Sequence, residues 1–189
     1  MRKIVMHMSV SLDGFFEGPD GDLGWHQVDD ELHWHFNEEI APMGGFLNGR
    51  VTYELMAAFW PTADQDPTAS GPMREYARIW RDMPKIVYSR TLDHADWNAT
   101  VVREVDVEQV RKLTAEAGGD LALGGANLAV SFAEHDLIDE YRTYIHPVLL
   151  GRGRRPFPDA DGLPDLRLVE SREFSNGVVL LRNERVRKA

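Results

Sequence analysis

The chain has 189 residues, 43% of them hydrophobic, a formal net charge of -10 and no cysteine. That length suits a single domain, 1–189, with a core of its own. The acidic balance argues against a nucleic-acid face, and the lack of cysteine removes disulfides, thiolate metal sites and cysteine nucleophiles.

No apolar run is long enough to span a bilayer, and Met1–His7 is not followed by a signal-like apolar region. A cytoplasmic protein is the expectation. Lys3 to Val10 is rich in β-formers and reads as a central strand that runs into Ser11-Leu12-Asp13-Gly14. Phe15 to Trp25 carries Gly18-Pro19-Asp20-Gly21 and Gly24, so it reads as a loop and a candidate lid. Trp25 at its end either closes over a ligand or packs the loop onto the core.

Asp29 to Ile40 reads as a helix, with Asp29 or Asp30 as N-cap and Leu32, Phe36 and Ile40 on one face. His33 and His35 point to opposite sides of it and are expected to face solvent. Gly45 to Asn48 is a short strand, and Gly49-Arg50-Val51-Thr52-Tyr53-Glu54 opens a helix to about Trp60. Pro61 to Pro72 is expected as loop, and Met73 to Arg81 as a short helix ended by Pro84. Lys85 to Tyr88 is a strand that delivers Ser89-Arg90-Thr91 into a turn.

Val101 to Val105 is the next expected strand, and Val107 to Ala117 a helix stopped by Gly118-Gly119. Asp120 to Glu134 then reads strand, glycine turn, helix: Leu121 to Leu123, a break at Gly124-Gly125, and apolar residues at helical spacing from Leu128. Glycines bring backbone close to a ligand, and a helix start offers free amides and a positive dipole end, a natural place for a phosphate. The plain alternative is a tight turn that binds nothing. Leu137 to Leu150 is expected as a strand with Pro147 near its end. A basic turn, Gly151 to Arg155, follows. Arg167 to Phe174 and Val178 to Val186 flank Asn176-Gly177, a strong hairpin signal.

The alternation predicts a three-layer α/β fold: a mainly parallel twisted sheet, helices on both faces, and an antiparallel C-terminal hairpin. In such a sheet the strand carboxyl ends share one edge. Three of those ends carry phosphate-type chemistry: Gly49, Arg50 and Thr52; Ser89 and Arg90; Gly124, Gly125, Ala126 and Asn127. Two helix starts and two arginines suit a pyrophosphate and one further phosphate. G-x-G-x-x-G, Gly-Lys-Ser/Thr, H-E-x-x-H and G-x-S-x-G are all missing, which argues against a standard Rossmann domain, a P-loop, a zincin and a serine hydrolase.

Taken in order, Ser11-Leu12-Asp13-Gly14, Gly49 to Glu54, Ser89-Arg90-Thr91, Gly124 to Leu128 and His146-Pro147-Val148-Leu149-Leu150-Gly151-Arg152-Gly153 resemble the dihydrofolate-reductase-like superfamily. The branch is the one related to the riboflavin-biosynthesis reductase domain, and the likeness covers nearly the whole chain. It implies NADPH. Carried over by position, Gly49, Arg50 and Thr52 would hold phosphates at one helix start. Gly124, Gly125, Ala126, Asn127 and Leu128 would take the pyrophosphate at the other, and Ser89 and Arg90 the adenosine 2′-phosphate. Val10 and Ser11 would line the nicotinamide, and Trp25 matches a tryptophan of the active-site loop.

For proton delivery the resemblance points to Asp30, with Asp29 beside it and Thr143 as its strand partner, or to Asp13. A carboxyl in an apolar cleft has a raised pKa, which suits that task. The plain alternative for Asp29 and Asp30 is helix capping. With no cysteine for its zinc motif, the deaminase domain of the bifunctional riboflavin enzyme is not expected in this sequence. The chain departs from both enzymes in having no obvious arginine cluster to grip a folate glutamate tail or a ribose phosphate, for which Arg152, Arg154 and Arg155 are the only candidates. The leading reading is an NADPH-dependent reductase of a C=N-type bond in a small pterin- or aminopyrimidine-like heterocycle. A non-catalytic nucleotide-binding protein is the alternative, and a metal hydrolase using Asp13, Asp29 or Asp30 comes third. The strand at 138–150 and the terminal hairpin suggest an edge for a homodimer.

Overall fold

The computed structural model describes residues 1–157 and 163–187. Eight strands form one sheet: β1 (Ile4–Ser11), β2 (Gly45–Gly49), β3 (Lys85–Tyr88), β4 (Ala99–Val102), β5 (Leu121–Gly124), β6 (Glu140–His146), β7 (Leu166–Glu173) and β8 (Val179–Arg185). Their spatial order is β4-β3-β2-β5-β1-β6-β8-β7. β1 to β6 pair in parallel, and β8 runs antiparallel to both β6 and β7. Among the described residues five α-helices cover the sheet: α1 (Asp30–Ile40), α2 (Arg50–Phe59), α3 (Gly71–Asp82), α4 (Val107–Ala115) and α5 (Ala126–Glu134). Among the described residues no helix is long and apolar enough to cross a membrane.

Side-chain alternation along the strands builds a layer on each face. Ile4, Met6, Met8, Leu121 and Leu123 pack against Phe132 of α5 and Val110 of α4. Val5, Phe46, Val87 and Ala122 point the other way, onto Tyr53 of α2, Trp80 of α3 and Ile40 of α1. A third cluster joins Leu32 of α1 to Tyr144, Phe174 and Leu180 under the terminal hairpin. The expected three-layer fold with its antiparallel C-terminal strands is therefore observed.

The same alternation puts His7, Glu140 and Arg142 on the α1 side of the sheet. Glu140 is fully buried, and its carboxylate meets Lys3, Arg142 and Arg182. Arg142 also pairs with Glu39 of α1. Glu140's acceptors are filled by three cations, which is how a buried carboxylate is held.

The register sets where a ligand can lie. Met6 stands beside Leu123 and Leu123 beside Leu47, while Gly49 pairs with Tyr88 and Tyr88 with Val102. β2, β3, β4 and β5 thus all stop at the level of His7 or Met8. β1 runs on to Ser11, supported by β6 alone. This overshoot makes a wall beside a ledge of strand ends.

Several local expectations change. The strand placed at 101–105 ends at Val102, whose carbonyl accepts from Ser89 N at 2.9 Å; Arg103 then turns out to donate to Leu92 O at 2.8 Å. The stretch expected as loop after Trp60 contains a 3-10 helix, Trp60–Gln65. α3 starts at Gly71, because Pro72 suits a helix's first turn. The strand expected over 137–150 is confined to Glu140–His146, with Pro147 directly after it. His35 does not face solvent: it is 5% exposed, with Nε2 3.2 Å from the Tyr144 hydroxyl. The terminal hairpin folds over that side of α1 and buries it.

Candidate active site: a groove along the strand ends

α2 begins at Arg50, directly after β2, and α5 begins at Ala126, directly after β5. Neither start has a side-chain cap, so their first amides lack internal partners. Gly125 has φ +100, and a Cβ there would stand 2.5 Å from Thr52 Oγ1. A Cβ on Gly49 would lie 3.8 Å from Leu128 Cβ. The two helix starts are thus packed side by side, and only a glycine at 125 lets them meet. At the end of β3, Ser89 Oγ accepts from Thr91 N at 3.2 Å and Leu92 N at 2.9 Å, which shapes the next turn.

All three turns open into one groove of about 870 Å³. Gly49, Arg50 and Thr52 line it from the first, Ser89 and Arg90 from the second, and Gly125, Ala126, Asn127 and Leu128 from the third. Two free helix starts and a set of arginines in an acidic protein fit a phosphorylated nucleotide. Arg50 pairs with Glu54 at 2.7 Å across one helical turn. Arg90 is exposed, and no ion pair holds it among the described residues. Arg103 and Arg154 line the groove as well.

Arg154 also closes the groove from above. Its guanidinium reaches Glu17 at 2.9 Å and Asn127 Oδ1 at 2.8 Å. Backbone bonds from Phe16 N to Arg154 O (2.9 Å) and from Arg154 N to Glu17 O (3.0 Å) stitch the basic turn to the loop after β1. Gly153, at φ +144, permits this crossing, since a Cβ would strike the Glu17 carbonyl.

Beyond the phosphate-type turns the groove reaches His7 and Ser9 of β1, Leu23 and His26 of the loop, and Leu55 and Met56 of α2. Burial holds the His7 imidazole down at about 3, with Arg142 and His35 adding to the effect. Burial also lowers His26, against a smaller opposing pull from Asp22. Both rings are therefore neutral near neutral pH.

Other residues anticipated for the site lie outside its lining. Val10 is packed in the core on the α5 face. Ser11 is buried and donates to Asp13 Oδ1 at 2.6 Å. The groove's level is set by the ends of β2 to β5, so the β1 residues that reach it are His7, Met8 and Ser9. Gly124 is the last residue of β5, where a Cβ would crowd Asn48 Nδ2 at 2.8 Å. Trp25 sits behind His26, its ring edge-on to His26 at 4.2 Å and to His146 at 5.4 Å.

The acid-base expectations need correction. Asp13 is not raised but lowered to about 2, first by the Ser11 hydroxyl and then by the Gly151 and Leu150 amides. It is an ionised tie between two loops. Asp29 caps α1 by accepting from Leu32 N at 2.9 Å. Asp30 is exposed on the first turn. Thr143 cannot partner it: Tyr144 packs on Phe36 of α1, so Thr143 points to the opposite face. Among the described residues no group of three or more metal-binding side chains is gathered.

Residues of the groove that were not anticipated include His7, Met8, Ser9, Leu23, His26, Leu55, Met56 and Arg103. Arg103 obeys the same strand-end logic as Arg90 and was hidden by placing the end of its strand three residues late. For His7 and His26 the sequence holds no motif.

Compared with known proteins, the chain matches the family model described as RibD C-terminal domain over residues 2–180. It is similar to two Bacillus subtilis (strain 168) proteins whose functions are uncharacterized. YyaP is 34% identical over 179 residues, covering 94% of this chain and 92% of that one. YwjB is 26% identical over 182 residues, covering 95% and 96%. Among solved structures, a Shewanella sp. PV-4 protein provisionally ascribed to riboflavin biosynthesis superposes with TM-score 0.73 at 21% identity, covering 98% of this chain and 99% of that one. The Thermotoga maritima diaminohydroxyphosphoribosylaminopyrimidine deaminase/5-amino-6-(5-phosphoribosylamino)uracil reductase gives 0.66 at 18%, with 98% of this chain covering 57% of that one. Enterococcus faecalis dihydrofolate reductase complexed with NADP(H) gives 0.64 at 15%, covering 97% and 96%. At these identities the three structures establish the fold alone.

Proposed function

The chain belongs to the RibD C-terminal domain family, and from that premise we propose that it is an NADPH-dependent reductase of a C=N-type bond in a small heterocycle. The observation that carries this reading is the meeting of three strand-end turns in one groove, with two uncapped helix starts in contact across Gly125 and Thr52. In this reading the amides at the starts of α2 and α5 bind the pyrophosphate, with Arg50 beside them. Ser89, Arg90 and Arg103 hold the adenosine phosphate at the β3–β4 end. The β1 wall and the 15–29 loop orient the substrate.

When bound, NADPH would supply the hydride from C4 of its nicotinamide. The chain's task is alignment. Asp13 is ionised and tied to Ser11 and the Gly151 loop, and Asp30 lies outside the groove lining. The reading therefore assigns the accompanying proton to solvent entering the open side, and Asp30→Asn is expected to retain turnover.

That neither Asp13 nor Asp30 serves the groove is also what favours the alternative, a nucleotide-binding protein of this fold without turnover. The deciding experiment is a nicotinamide fluorescence titration with NADPH and NADH, followed by a screen of pterins and aminopyrimidines for NADPH oxidation. Tight NADPH binding with oxidation supports the reductase. Binding without oxidation of any acceptor favours the alternative, and no binding of either nucleotide overturns both.

A further inference from the structure

The substrate end of the groove has a chemistry of its own. His7 Nε2 and His26 Nε2 are both shielded from solvent, and neither has a hydrogen-bond partner among the described residues. Both line the groove, as do the apolar residues Leu23, Leu55 and Met56. A buried ring nitrogen without a partner is costly and calls for a ligand or a water. Both rings are kept uncharged by burial.

The cations of the groove are all displaced from this end. Arg90 and Arg103 hang from β3 and β4, and β3 is three strand spacings from β1, about 14 Å. Arg50 precedes Leu55 by five residues of helix, about 7.5 Å along its axis. Arg154 is tied to Asn127 of α5, on the opposite face of the sheet from His7. Arg142 lies next to His7 on the sheet but is sealed by Glu39 and Glu140. A phosphate or carboxylate beside His7 and His26 would be desolvated without a counter-charge, which is strongly unfavourable. A cationic amidine would lack a free carboxylate as well: of the acids that line the groove, Glu17 is paired with Arg154, Glu104 follows β4 and Glu134 ends α5, while Asp13, Asp22 and Asp30 lie outside the lining.

We propose that this arm takes an uncharged planar heterocycle, without phosphate or carboxylate tail, whose in-plane donor–acceptor edge is bound by His7 Nε2 and His26 Nε2. Its faces are covered by Leu23, Leu55 and Met56. This rests on the reductase reading for what the ring is there to do, but not for its polarity. It separates the chain's substrate from a phosphoribosyl compound and from a protonated diamino ring.

The probes are lumazine, a neutral pteridine dione, and 2,4-diaminopteridine, its readily protonated counterpart. Binding is read by fluorescence with and without NADP⁺, on the full chain and on His7→Phe, His26→Phe and His7→Gln. Lumazine is expected to bind more tightly than the diamino ring. His7→Phe and His26→Phe should each weaken it about five- to tenfold, as loss of one neutral hydrogen bond does. His7→Gln should recover part of the loss, and NADP⁺ affinity should stay within about twofold in all three, the substitutions lying away from the phosphate-type turns. Tighter binding of 2,4-diaminopteridine, or lumazine affinity unchanged in His26→Phe and either His7 variant, would overturn the proposal. Failure of NADP⁺ to bind while lumazine binds would fall on the reductase reading alone.

Discussion

Thr52 and Gly125 meet where the two helix starts adjoin: the hydroxyl oxygen of one stands 2.5 Å from where a β-carbon on the other would be. The φ of +100 at Gly125 compounds the constraint, since L side chains rarely adopt it.

Gly125→Ala should therefore separate the two helix starts. The expected cost is about 1–3 kcal/mol of stability from backbone strain and crowding. NADPH affinity should fall further than stability does, because the amides no longer point at one place. Thermal melts set against nucleotide titration would show this, and unchanged NADPH binding would count against the pyrophosphate assignment.

Arg90 is expected to distinguish the two nicotinamide nucleotides. It hangs exposed from the end of β3, with no ion pair of its own among the described residues. Arg90→Ala should weaken NADPH about 10- to 100-fold, the loss of charge-assisted hydrogen bonds, and leave NADH nearly unchanged. An equal loss for both would remove the 2′-phosphate role.

Asp13 predicts an acid-side effect on stability. Its folded pKa is lowered from 3.8 to about 2, so it contributes stability above 3.8 that is lost as pH falls towards about 2. Asp13→Asn should lower the melting temperature at neutral pH, and the gap from wild type should close across that window. A gap that persists at the acid end would mean the carboxylate is not the source.

Glu140 is the most exposed to substitution of the buried charges. Glu140→Gln leaves the buried Arg142 with Glu39 alone, while Lys3 keeps Glu184 and Arg182 keeps Glu170. The expected loss is about 3 kcal/mol, typical of breaking a buried ion pair from one side. It would be read from the urea midpoint at constant slope. Arg142→Met in the same chain should recover part of it, since it removes one of the cations left behind.

The phosphate-type end of the groove was legible in the sequence because each part is local. A strand, a glycine and a helix start within six residues declare themselves, and their order along the chain did the rest. The substrate end was not legible. Which β1 residues reach it depends on where β2 to β5 stop, and that is fixed by pairings across more than a hundred residues; hence Val10 and Ser11 were expected where Met8 and Ser9 stand. Arg103 was missed through an error of three residues in a strand end. His35 was misread because helical periodicity cannot report a hairpin that arrives from the far end of the chain. Asp13 was assigned a raised pKa by its motif, whereas the Ser11 hydroxyl and two backbone amides that lower it belong to the folded arrangement.

The overshoot of β1 divides labour along the chain. The turns after β2, β3 and β5 build one end of the groove, while the excursion between β1 and α1 supplies Leu23 and His26 to the other. Because Phe16 and Glu17 of the same excursion hold Arg154 against Asn127, only its later part, around Leu23 and His26, can vary without touching the phosphate-type turns. Reshaping that end of the groove would therefore begin with the few loop residues around Leu23 and His26 rather than in the sheet.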